Sequence, residues 1–73
     1  MLTRIEKAFR EKELLGVEVA RLLKVSESEI SKWRKGRAYV PQKYRMPLSN
    51  LLGLDISELV DDRGIPKLAE QKN

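Results

Sequence analysis

Apolar residues recur along this chain in short bursts at helical spacing, separated by polar breaks marked with glycine or proline. Ile5, Ala8 and Phe9 fall at i, i+3 and i+4 and predict a first amphipathic helix. It opens after Thr3, with Glu6 in capping-box spacing, and fades near Glu13. Val19, Ala20 and Leu23 share one face of a second helix over 17–24. Its N-cap falls on Gly16 or on Leu15, which offers no acceptor. Ser26 and Glu29 repeat the capping pattern ahead of a third helix, Glu27–Lys35, which Gly36 stops. Residues 36–45 read as a loop containing Pro41. Leu48, Leu51 and Leu52 predict a fourth helix with Pro47 in its first turn and Gly53 after its end. Asp55 and Glu58 then introduce a short fifth helix carrying Ile56, Leu59 and Val60. No β-branched run alternates strictly, so the expected fold is all-α: a compact five-helix bundle over residues 1–60. Residues 61–73 form a polar C-terminal tail, in which Ile65, Leu68 and Ala69 hint at another helical turn or a partner-dependent segment.

Composition removes whole classes of chemistry. A chain of 73 residues supports one domain, and a domain this small buries only about 60% of its unfolded surface. It has no cysteine and no histidine, so thiolate sites, disulfides and the commonest general base are excluded. No glycine-rich phosphate loop or nucleophile–base pair is present, and the adjacent Asp61 and Asp62 would not share a helix face. We therefore expect no enzyme, no cofactor, no metal and no small-molecule substrate. The apolar runs are too short for a membrane span. The opening MLTRIEKAFREKE is charged and amphipathic, unlike a signal peptide. The expected location is the cytoplasm.

Charge distribution changes the picture more than its total does. Residues 1–23 carry a net +1, residues 24–45 a net +5 and residues 46–73 a net −2. Such a concentration suits a polyanion docked against one region. Within it lies GVEVARLLKVSESEISKWRKG, residues 16–36, a short helix, a three-residue turn and a second capped helix. Ala20 supplies the small side chain that steeply crossing helices need, and Val25 plugs the turn. At 100° per residue, Ile30 and Trp33 mark the buried side of the second helix. Ser28, Ser31, Lys32 and Lys35 point roughly opposite, with Glu27 and Arg34 on the flanks.

These residues resemble the helix-turn-helix of the Cro/repressor-type (XRE) family of DNA-binding domains, with a lambda-repressor-like fold. The likeness runs over about residues 3–60. It rests on Ala20 in the first motif helix, Val25 after the turn, EISKWRKG as a relative of the family's Ile-Ser-x-Trp-x-x-Gly ending, and LLGLDISELV as the close of the last two helices. It departs at Lys24, where the family usually has glycine, and at Leu15-Gly16, where it favours Thr-Gln. The resemblance implies a bacterial or phage-encoded transcriptional regulator of repressor type that binds double-stranded DNA as a dimer, with Glu27, Ser28, Ser31 and Lys32 at base edges. Lys35, Arg37, Lys43 and Arg45, with the Gly16 backbone N–H, would meet phosphates. Val19, Ala20, Leu23, Val25, Ile30 and Trp33 would form the motif's core, and Leu59, Val60, Ile65 and Leu68 the candidate dimer interface. Two alternatives stay open: an antitoxin-like protein-interaction module using the tail, and an architectural or excision factor that bends DNA. Glu27 is also open, as a base contact or as a charge favoured by the helix dipole.

Overall fold

The computed structural model describes residues 2–69. Its helices are α1 (Arg4–Glu11), α2 (Gly16–Leu23), α3 (Glu27–Lys35), α4 (Gln42–Leu52) and α5 (Ile56–Leu59). No strand occurs among the described residues; two isolated antiparallel bridges join Thr3 to Leu68 and Val60 to Pro66. The Cα radius of gyration is 11.1 Å, close to the roughly 11 Å expected of a compact chain of this length. No described helix is long and apolar enough to cross a membrane.

Local signals set most boundaries. Thr3 Oγ1 accepts from Glu6 N at 2.9 Å, and Ser26 Oγ accepts from Glu29 N at 3.1 Å, each satisfying one of the orphan donors at a helix start. At α5 the capping glutamate supplies the bond, Asp55 N donating to Glu58 Oε1 at 3.1 Å. The start of α2 is weaker, because Leu15 has no acceptor and Leu15 N reaches Glu18 Oε1 only at 3.4 Å. Helix ends use left-handed residues: Gly36 and Gly53, but also Lys24 at φ 60° and Glu13 at φ 54°. Lys24 therefore holds the conformation for which glycine is better suited.

The core runs between all five helices. Ile5 and Phe9 from α1, Val19 from α2, Ile30 and Trp33 from α3, and Leu48 from α4 are essentially solvent-free. Trp33 lies 5.6 Å, centroid to centroid, from Tyr44 on α4. α2 packs most extensively on α3.

Three expectations need correction. The fourth helix begins at Gln42, after Pro41, so the last four residues of the expected 36–45 loop are helical and Pro47 lies inside the helix, not in its first turn. Packing of Tyr44 on Trp33 and the Tyr44 N–Pro41 O bond of 2.9 Å favour the extra turn. They outweigh the Pro47 ring, which removes one helical hydrogen bond. The described tail is not helical: 61–64 form a turn, in which Gly64 N donates to Asp61 O at 2.9 Å, and 65–69 run extended. Its backbone is stitched to the domain by Val40 N to Gly64 O (2.8 Å), Lys67 N to Leu59 O (3.0 Å), Arg4 N to Lys67 O (2.8 Å) and Ala69 N to Leu2 O (2.8 Å). The remainder of the expected tail, 70–73, lies outside the described residues. Beneath this strap Leu59 and Val60 are 0% and 3% exposed. They close the core and are unavailable as a dimer interface; Ile65 and Leu68 remain exposed.

Candidate nucleic-acid interface

α3 is nine residues long, fixed at one end by Ser26 and at the other by Gly36, whose N–H donates to Lys32 O and Trp33 O. Ile30 and Trp33 hold its inner side, each 1% exposed. Glu27, Ser28, Lys32 and Lys35 are exposed, while Ser31 is half-buried against α1. The outer face thus consists of short hydroxyls and a carboxylate near its start, with two ammonium groups further along. Of the expected motif core, Val19 and Ala20 are buried, and the half-buried Leu23 and Val25 pack against the same cluster. The link from α2 to α3 is three residues, Lys24 to Ser26, closed by Val25 N donating to Ala20 O at 3.0 Å.

α3 is tied to α1 by a contact that spacing alone does not reveal. Arg34 folds across α1: its Nε donates to Glu6 Oε1 at 2.6 Å and its Nη2 to Glu6 Oε2 at 3.1 Å. Its Cζ sits 4.5 Å from the centre of the Phe9 ring. Thr3 Oγ1 donates to Arg34 O at 2.6 Å, so one threonine caps α1 and ties the end of α3. Arg10 Nε adds a further bond to Glu6 Oε2 at 2.9 Å. The Arg34 guanidinium holds the Glu6 carboxyl below its ordinary range, against the opposing effect of burial and with help from Arg10. Glu6 was expected to reach back to the α1 N-cap; the arginine takes it instead. Glu6 and Arg10 at i, i+4 beside an Arg34 that follows a core tryptophan were the signals available.

Cations expected at phosphates divide into two groups. Lys35, Arg37 and Lys43 are exposed, and Lys43 Nζ lies 5.1 Å from the centre of the Tyr44 ring. Arg45 is different: its Nε donates to Val40 O at 2.8 Å, and its guanidinium packs against Gly64. It clamps the tail strap and is withdrawn as a phosphate contact. Gly16 opens α2, and no described hydrogen bond engages its N–H. A Cβ on Gly16 would stand 3.3 Å from Arg34 Nη1 and 3.8 Å from Ile30 Cγ2, so glycine permits the close approach of α2 to α3. The basic middle of the sequence therefore overstates the open cationic surface, because Arg34 and Arg45 hold the fold together.

Chemically, the α3 face can donate from Lys32, accept at Glu27 and do either at Ser28, while the surrounding lysines and Arg37 supply positive potential without sequence preference. Among the described residues, no group of three or more acidic, histidine or cysteine side chains is placed to hold a metal. Comparison of the chain with protein-family models, with curated proteins and with solved structures returned no match in any of the three.

Proposed function

We propose that this chain is a sequence-specific double-stranded-DNA-binding domain of a transcriptional regulator, with α2 and α3 acting as a helix-turn-helix and α3 entering the major groove. The observation that carries the proposal is the division of α3 into two sides. Ile30 and Trp33 lock one side into the core, while Ser28, Lys32 and Lys35 stand exposed on the other. A nine-residue helix is roughly 13 Å long, and the short serines let its axis approach the floor of a groove about 12 Å wide. The resemblance of EISKWRKG and LLGLDISELV to the Cro/repressor family supports the same reading.

In this arrangement Lys32 donates to guanine O6 and N7, Glu27 accepts from cytosine N4, and Ser28 serves base or phosphate. Lys35, Arg37 and Lys43, with the Gly16 N–H at the start of α2, hold the backbone. Neutralising three phosphates per chain gives a slope of log affinity on log salt of about −2.7, doubled in a two-fold dimer. Dimeric binding would place half-sites roughly 34 Å apart, with Ile65 and Leu68 as the remaining apolar candidates for pairing. The antitoxin-like alternative relied on a free tail, whereas the described tail is bonded to the domain along its length. The test is duplex binding by fluorescence anisotropy across a salt series. A steep negative slope is expected; no duplex affinity at 50 mM salt would overturn the proposal.

A further inference from the structure

Beside the α3 face lies a second feature, a cleft of about 480 Å³ between α1 and the later half of α3. Arg10, Arg34, Lys35 and Arg37 line it together with Ser31 and a single carboxylate, Glu6. That carboxylate is already saturated by three donors from Arg10 and Arg34. Both arginines are anchored through Nε, which leaves the Nη groups of Arg10 and Nη1 of Arg34 without a described partner. Neither the Lys35 ammonium nor the Arg37 guanidinium makes a described ion pair. The cleft is thus an excess of donors around a neutralised acid, a lining that repels a cation and suits an anion.

We propose that this cleft seats one phosphodiester group of the DNA backbone, with Arg10 of α1 as a contact beyond those on α3 and the loop after it. The inference rests on the duplex-binding reading above. Two features identify the ligand class. Guanidinium forks match the oxygens of a phosphate in a way that an ammonium alone does not. Ser31 and Lys35 belong both to the cleft and to the α3 turn that precedes Gly36, so a strand following the outer face of α3 reaches the cleft without leaving the protein surface. Glu6 acts as the positioning residue: it holds Arg10 through Nε alone and leaves both Nη groups of that exposed side chain free, whereas Arg34 Nη1 faces Gly16.

The test compares salt dependence of duplex binding for the intact chain, Arg10→Gln and, as a charge control outside the cleft, Lys7→Gln. The Arg10 side chain is 64% exposed and its Glu6 bond is an i, i+4 surface pair, so the variant retains the fold. Arg10→Gln should lower the magnitude of the salt slope by about 0.9 per chain bound, a roughly three- to fourfold smaller loss of affinity per chain between 50 and 200 mM salt. The order of preferred sequences should stay the same, and Lys7→Gln should match the intact chain. An unchanged slope in Arg10→Gln overturns the cleft while leaving duplex binding standing; an intact chain with no duplex affinity overturns both. A second arm titrates inorganic phosphate and follows the Ser31 and Lys35 amides by NMR. Saturable shifts lost in Arg10→Gln, without a change in slope, assign the cleft to a free anion and overturn the backbone seat.

Discussion

Breaking the Glu6–Arg34 pair should cost far more than a surface ion pair, and the structure sets the size of the effect. The pair is bidentate, at 2.6 and 3.1 Å, and the two side chains are 16% and 28% exposed. Hydrogen bonds to charged groups contribute about 1.5–3 kcal/mol when protected from water. Arg10 continues to serve Glu6 after Arg34 is lost, and partial exposure screens the charge. The expected coupling in a cycle of Glu6→Gln, Arg34→Met and the double variant is therefore about 1.5–2 kcal/mol, above the 0.2–1 kcal/mol of exposed pairs. Arg34→Met alone also loses the stacking on Phe9, worth about 0.5 kcal/mol or more. The single loss of about 2 kcal/mol corresponds to roughly 8–16 °C in Tm for a domain of this size. Urea and thermal unfolding followed by Trp33 fluorescence give the cycle directly, since it is the sole tryptophan and is 1% exposed. A coupling below about 0.5 kcal/mol would refute the idea that this pair fixes α3 against α1.

Other perturbations follow from the same contacts. The Glu6 carboxyl, held low chiefly by Arg34, and the Asp61 carboxyl, held low chiefly by the Ile65 N–H and then by the Arg63 N–H, both have folded values depressed below their ordinary ones. Their stabilisation is present above the ordinary carboxylate range and is lost as pH falls through the folded values. Acid unfolding should therefore be shallower in Arg34→Met, as read from Tm against pH. Lys24→Gly should raise stability by up to about 1 kcal/mol, because glycine relieves the left-handed strain; Lys24→Val should lower it. Pro47→Ala should stabilise by about 2 kcal/mol, restoring a helical donor at some cost in unfolded-chain entropy. Gly64→Ala should lose about 2 kcal/mol: at φ +85° its methyl would meet Val40 O at 3.0 Å and collide with Arg45.

What the sequence made legible was whatever its local chemistry decides. Ser26 and Gly36 fix α3 to the residue because cap geometry depends on neighbours within one turn. Ile30 and Trp33 follow from helical spacing against Lys32 and Lys35. The misreadings share a cause in contacts between distant segments. Glu6 and Arg34 are 28 positions apart, and helical periodicity on either element alone leaves each as an ordinary charged residue. Arg45 reads as surface until the tail folds over it. Leu59 and Val60 form an apolar ridge that resembles an interface until the extended 65–69 segment covers it. Pro47 marked a helix start by propensity, but packing of Tyr44 on Trp33 placed the start five residues earlier.

The central claim is that the outer face of α3 reads base sequence, and Lys32 is the residue on which it depends most. Lys32 is exposed and makes no described side-chain hydrogen bond or ion pair, so Lys32→Ala leaves Tm nearly unchanged. The decisive measurement is selection of bound duplexes from a random pool by the intact chain and by Lys32→Ala, side by side. The account predicts a defined motif containing guanine for the intact chain and loss of the preference at that guanine for the variant, with discrimination there falling by about 1–3 kcal/mol. A flat pool from the intact chain, or an identical motif from Lys32→Ala, would contradict it.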